Sequence, residues 1–133
     1  MSTFSLQIVT PDGGAFEGEA EALRLRTSEG YVSIRAGHAD YVAVLDIGEV
    51  DLTAEGHSRR ASCGGGLLSV ERGQVRLVAT SFEYAENIDV ARAELSKKRA
   101  EEILSSSKED KELRLAKARL SRALNRLRIA EIK

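Results

Sequence analysis

Residues 88–99 read IDVARAELSKKR, and the fold turns on them. Before this stretch, short runs of alternating apolar and polar residues are broken by glycine; after it, apolar residues recur every three or four positions. Set on a helix, Ile88, Arg92, Leu95 and Arg99 fall at steps of four, three and four, on one face with two guanidinium groups flanking a leucine. An arginine fork matches a phosphate and a small apolar surface matches a flat base, so a nucleotide is a candidate for this face. A solvated helix flank beside a core leucine is the plain alternative.

At 133 residues, 42% hydrophobic and 31% charged, the chain has material for one real core plus an extension, and too little for two full domains. No apolar run reaches membrane-spanning length, and residues 1–10 lack the basic start and apolar block of a signal peptide, so a soluble chain that is not exported is expected. The single cysteine, Cys63, excludes an internal disulfide and cannot make a zinc site with only His38 and His57 for company. A buried, inert thiol in a reducing compartment is expected. The net charge of -1 conceals an asymmetry: residues 1–87 carry seven Lys/Arg against thirteen Asp/Glu, while residues 88–133 carry thirteen against eight, giving -6 and +5. The two halves are therefore expected to face different partners, the basic one a nucleic acid, an acidic protein surface or a phosphate ligand.

Residues 1–85 read as a β-sandwich or flattened β-barrel. Phe4, Leu6 and Ile8 alternate with Ser5 and Gln7 before a Pro11-Asp12-Gly13-Gly14 turn. Leu23 and Leu25 alternate with Arg24 and Arg26, and Val32 and Ile34 with Ser33 and Arg35. Further short strands are expected over 41–45, 49–53, 59–63, 67–71 and 74–81, separated by Gly48, Gly56, Gly64-Gly65-Gly66 and Gly73. One apolar face per run calls for two sheets packed face to face. Little in this half points to chemistry. The triglycine is not followed by Lys-Ser or Lys-Thr, so it reads as a bend or a close backbone approach and not as a phosphate loop. His38 has Asp40 nearby but no nucleophile placed to complete a catalytic set, so a contact or capping role is expected.

Residues 86–133 read as a hairpin of two helices. Ala93, Ala100, Ile103 and Leu104 give the first a small apolar face, and Ser106 with Glu109, or Ser107 with Asp110, has the form of a capping box for the second. Leu113, Ala116, Leu120, Ala123 and Leu127 form the second helix's stripe, with Leu124 widening it. Arg119, Arg122 and Arg126 run beside that stripe, with Arg114, Lys117 and Arg128 around the cylinder. By default such arginines are a solvated flank.

Val9-Thr10-Pro11-Asp12-Gly13, Ser28-Glu29-Gly30, Gly37-His38-Ala39, Gly65-Gly66-Leu67-Leu68-Ser69-Val70, Ile88-Asp89-Val90-Ala91-Arg92-Ala93 and Asn125-Arg126-Leu127 with Ala130-Glu131 together resemble the epsilon subunit of bacterial F-type ATP synthase. The motifs occur in order and span the whole chain. The resemblance implies a non-catalytic rotor subunit of proton-translocating ATP synthase. Its sandwich would sit at the foot of the central stalk, on the cytoplasmic side of the membrane and without inserting into it. There it would meet the gamma subunit and the ring of c subunits, with Tyr31, Ile34, Gly37 and His38 as contacts. The helices would fold down on the sandwich or extend toward the alpha and beta subunits and hinder ATP hydrolysis.

The stretch from Ile88 to Ala93 is also similar to the ATP-binding motif of epsilon subunits from bacilli. That similarity implies Glu83, Ile88, Asp89 and Ala93 around the adenine, with Arg92, Arg99, Arg122 and Arg126 approaching the phosphates of a regulatory ATP that is not hydrolysed. The chain departs from the family where prolines commonly flank Gly-His-Ala, having Ala36 and Asp40, and where glutamates are frequent, having Tyr31 and Ser69. A non-catalytic basic module binding nucleic acid or another protein is the alternative, but three Phe and three Tyr, none in the second helix, leave few stacking platforms.

Overall fold

The computed structural model describes residues 2–131. The chain divides into two compact units that change over between Tyr84 and Ala85.

The first unit is an eight-stranded sheet: β1 (Phe4–Thr10), β2 (Gly13–Ala20), β3 (Ala22–Thr27), β4 (Gly30–Ile34), β5 (Tyr41–Ala54), β6 (His57–Glu71), β7 (Gln74–Ala79) and β8 (Phe82–Tyr84), in the order β2-β1-β7-β6-β5-β3-β4 with β8 paired to β6. The inward residues of β1 and β3 share one buried cluster although several strands separate them along the sheet, so the sheet is folded over on itself. The path runs from β2 to β4 without closing, so the expected sandwich is an open one. Both end strands are mostly exposed and glycine or charge bearing, as suits an edge.

Period-two alternation builds the core. Phe4, Leu6 and Ile8 of β1, Leu23 and Leu25 of β3 and Val75, Leu77 and Ala79 of β7 are buried, alternating with more exposed neighbours. Thr27 is buried too, and stays satisfied because its Oγ1 donates to the Gly30 carbonyl at 2.8 Å and accepts from the Glu29 N–H at 3.1 Å.

Four runs that the sequence separates are two long strands here. The expected strands over 41–45 and 49–53 are halves of β5, and those over 59–63 and 67–71 are halves of β6. The glycines between them bend a continuous strand instead of ending it. Residues 46–49 of β5 stand opposite Arg26 alone, a bulge at which a Cβ on Gly48 would lie 3.1 Å from that of Arg26. In β6 the partner changes from β8 at Cys63 to β7 at Gly66. A Cβ on Gly66 would run into the Val78 carbonyl, and one on Gly64 into Ser81 Oγ. Close backbone approach is thus the reason for the triglycine. Beside it, Cys63 is buried with Sγ 3.7 Å from the Gly65 carbonyl, and burial pushes its thiol up, which keeps it inert.

This core draws only on residues of the first unit. Each of its large side chains contributes about 1.5–3 kcal/mol on burial. A fragment of residues 1–85 is therefore expected to melt cooperatively by itself, and a featureless thermal melt followed by circular dichroism would refute that independence.

The second unit begins with a short 3-10 turn, Ala85–Asn87, followed by α1 (Val90–Ser106) and α2 (Asp110–Glu131). Asp89 caps α1: it is extended, and its Oδ1 accepts from the Arg92 N–H at 3.0 Å, an arrangement worth about 1 kcal/mol. Ile88 therefore precedes the helix and is buried, which takes it off the exposed face shared by Arg92, Leu95 and Arg99. Ile88 and the buried Ala93 occupy the two positions of a hydrophobic staple.

At the tip, Ser107 is the C-cap of α1, its N–H donating to the Ile103 carbonyl at 2.8 Å, and it orders the turn into α2. Its Oγ accepts from the Glu109 N–H at 3.2 Å and donates to Glu112 Oε2 at 3.0 Å. Ser106 turns back into α1 and donates to the Glu102 carbonyl at 2.7 Å, so the box expected from Ser106 and Glu109 does not form. The short connection sets α1 and α2 against each other as antiparallel neighbours, and the 3-10 turn packs on α2.

Candidate functional site

The seam of the hairpin is lined by small residues. Ala93 and Ala100 of α1 and Ala116 and Ala123 of α2 are buried, with Ile103, Leu104, Leu113, Leu120 and Leu127 half-buried along the same stripes. Leu124 does not widen the stripe; it is 46% exposed. Asn125 and Ile129 are buried instead, outside the stripe seen in the sequence.

This seam decides where the arginines go. In two right-handed helices packed antiparallel, the residue just before a seam residue projects to the same side of the pair from either helix. Arg92 and Arg99 precede Ala93 and Ala100, and Arg122 and Arg126 precede Ala123 and Leu127. The four arginines drawn from both helices thus share one side. Arg92, Arg99 and Arg122 are exposed, and among the described residues their guanidinium groups make no hydrogen bond or ion pair. Arg126 is half-buried, with its Nε out of solvent. Arg114, Lys117 and Arg128 follow seam positions and face the other way, with Arg128 Nη2 donating to Asn125 Oδ1 at 2.9 Å.

The remaining nucleotide candidates divide. Asp89 is exposed and caps α1, while Ile88 and Ala93 are buried. The part Ala93 plays is spacing, because a larger side chain there would force the helices apart. Glu83 lies in β8 of the first unit, paired in register with Ser62, whereas the other seven residues belong to the second unit.

The expected contact residues all lie in the sandwich, and they are not one cluster. Tyr31 is 50% exposed and carries the Arg24 guanidinium 4.1 Å above its ring. Gly37 is exposed with φ +82°, in the loop whose His38 N–H donates to the Arg35 carbonyl at 3.2 Å. His38 Nδ1 donates to the Ala39 carbonyl at 2.7 Å and its ring lies 5.7 Å from that of Tyr41, which leaves Nε2 for a partner. Asp40 Oδ1 accepts from the Arg72 N–H at 2.9 Å, fastening the loop to the β6–β7 turn. Ile34 is fully buried opposite Leu23, so its side chain belongs to the core and cannot touch a partner.

One surface escaped the sequence reading. Val44 of β5 pairs with Leu67 of β6, which pairs with Val78 of β7, and these outward side chains are 59%, 44% and 44% exposed. Its signal was present: alternation assigns these positions to solvent, yet valine and leucine fill them. The outer positions of β3, β5 and β6 carry instead a charged ladder, Arg24 to Asp51 at 3.5 Å and Arg60 to Asp51 at 3.6 Å.

Comparison with known proteins places the whole chain. Residues 3–85 match the family model "ATP synthase, Delta/Epsilon chain, beta-sandwich domain", and residues 86–131 match "ATP synthase, Delta/Epsilon chain, long alpha-helix domain". The ATP synthase epsilon chain of Ruminococcus albus is 40% identical over all of both chains, and that of Bacillus velezensis 41% identical over 98% of each. The chain belongs to the ATP synthase epsilon family. It is also similar to a chain in the Euglena gracilis mitochondrial ATP synthase OSCP/F1/c-ring structure, with a TM-score of 0.76 over 91% of this chain and 77% of that one at 22% identity. A chain in the Tetrahymena thermophila mitochondrial ATP synthase central stalk and c-ring gives 0.63 over 95% of each at 14% identity, so both likenesses are of fold. As an epsilon-family member the chain is a non-catalytic subunit of the central stalk of F-type ATP synthase. Among the described residues no helix is long and apolar enough to cross a membrane.

Proposed function

We propose that this epsilon-family chain couples the rotor to the catalytic head and restrains ATP hydrolysis through its hairpin, with ATP as a latch on the closed helices. The sandwich meets the gamma subunit and the c-subunit ring at the foot of the stalk, peripheral to the membrane. Tyr31, Gly37 and His38 offer polar and aromatic contacts, and the Val44, Leu67 and Val78 row offers the apolar surface that a stable protein contact needs. The hairpin acts on the alpha and beta subunits.

The observation that carries the nucleotide part is the arginine side of the hairpin. Arg92 and Arg99 from one helix and Arg122 and Arg126 from the other project to one side of the seam, a cationic face that suits an anion. A triphosphate supplies that anion. It also ties the two helices together, because only the closed hairpin presents both pairs at once. Titrating ATP into the isolated chain tests this half of the reading, and absence of binding heat would return these arginines to a solvated flank.

The opposite side, with Arg114 and Arg128, suits an acidic protein surface. Replacing both by glutamate is expected to weaken inhibition of hydrolysis about fivefold, by an amount that shrinks as salt is raised. Unchanged inhibition, or a loss insensitive to salt, would point to a purely steric block.

A further inference from the structure

Residues 35–40 carry the chain from β4 to β5, and nothing in their sequence stiffens them. The one proline of the chain is Pro11, and Gly37 at φ +82° widens the conformations open to this loop. Two of its hydrogen bonds are internal: the His38 N–H donates to the Arg35 carbonyl at 3.2 Å and His38 Nδ1 to the Ala39 carbonyl at 2.7 Å. Such bonds shape a loop without fixing it to the sheet. Asp40 makes the bond that leaves the loop, its Oδ1 accepting from the Arg72 N–H at 2.9 Å. Arg72 and Gly73, at φ +50° and +79°, form the two-residue turn between Glu71 and Gln74, which are paired in register. The first central amide of such a turn has no partner in the ladder, so a tight hairpin lends Asp40 a free donor on a rigid post. The His38 ring then lies 5.7 Å from that of Tyr41, which packs on the core.

Holding this ring matters because of what it presents. A carbonyl can only accept, so Nδ1 carries the proton of the neutral ring and Nε2 is left as a bare acceptor. Water satisfies it in the free chain. Under a protein surface it has to be paired, and an acceptor placed opposite would set two lone pairs against each other. We propose that Asp40 is a positioning residue that aims His38 Nε2, and that the protein group docking there is an N–H or O–H donor. This inference rests on the reading of His38 as a stalk contact, and adds to it the chemistry of the group that His38 meets. A loop aimed before contact loses less freedom on binding, so the Asp40 clamp raises affinity without touching the partner.

The test is rebinding of the full chain to synthase from which it has been removed. Wild type is compared with His38→Phe, His38→Lys, Asp40→Asn, Asp40→Ala and the double variant of His38→Phe with Asp40→Ala, each first shown to melt cooperatively. His38→Phe keeps a ring beside Tyr41 but has no acceptor, and should weaken rebinding about tenfold. His38→Lys puts a donor where the acceptor stood and should weaken it at least as much. Asp40→Ala is expected to weaken rebinding about fivefold, and Asp40→Asn, whose amide oxygen still accepts from the Arg72 N–H, to stay within about twofold of wild type. With His38→Phe already in place, Asp40→Ala should cost less than about twofold more, since Asp40 acts through His38. If His38→Phe rebinds as wild type does, the contact reading of His38 fails and this inference with it. If His38→Phe weakens rebinding and His38→Lys does not, the partner group is an acceptor and the donor assignment is overturned. If Asp40→Ala costs nothing, costs the same in both backgrounds, or is matched by Asp40→Asn, the clamp is overturned while the contact stands.

Discussion

Deleting residues 88–133 is expected to raise ATP hydrolysis by the assembled synthase about fivefold or more while leaving the synthase assembled. The size follows from typical couplings between distant sites of about 1–3 kcal/mol. Assembly should survive because the sandwich closes its core without the hairpin and carries Tyr31, Gly37, His38 and the apolar row. Hydrolysis should rise because the deletion removes the whole basic half, which carries +5 against -6 for the remainder. Steady-state hydrolysis and the subunit composition of the purified complex give the two readouts. Loss of the shortened chain from the complex would show that the hairpin also docks, and unchanged hydrolysis would show that it does not restrain the head.

Arg126→Ala should weaken ATP binding by roughly ten- to a hundredfold, since a charge-assisted hydrogen bond to phosphate is worth about 1.5–3 kcal/mol. Of the four expected arginines it is the half-buried one, so its guanidinium meets an anion in a medium that screens less than water does. Lysine should rescue binding only in part, because the planar fork that grips two oxygens is lost. Arg92→Ala, on the other helix, should cost a similar factor. Calorimetry on the three proteins decides the matter: equal binding by wild type and both variants would leave the arginines with no ligand role. No turnover of the nucleotide is expected.

Periodicity made the two-part architecture legible. The alternation of Phe4, Leu6 and Ile8 and the stripe from Leu113 to Leu127 each report one buried face, and burial is what fixes both. What the sequence hid was continuity. Gly48 looks like punctuation between strands, and the triglycine reads as a bend or a close approach inside a run of short strands; the neighbours Arg26, Val78 and Ser81 show that the need is for room within continuous strands. Short or polar elements were also invisible: β2 has glycine at Gly13, Gly14 and Gly18, and β8 is three residues long. In the candidate site, residue spacing sets Arg92 in line with Arg99 and Arg122 with Arg126, since helical steps are local. It could not tell that Asp89 would cap the helix and so take Ile88 off the face.

The two bent strands have a mechanical consequence. A stalk subunit carries torque, and a sandwich whose layers met only through side chains could shear, one layer sliding on the other as core contacts re-formed. Here β5 and β6 run unbroken around the fold, paired to each other from Tyr41 and Val70 to Ala54 and His57. A tangential load on the Val44, Leu67 and Val78 face therefore passes through covalent backbone, with a ladder of hydrogen bonds stretched in parallel and not opened one at a time. In the proposed placement at the foot of the stalk, this continuity would keep the two layers from sliding past each other as the stalk turns.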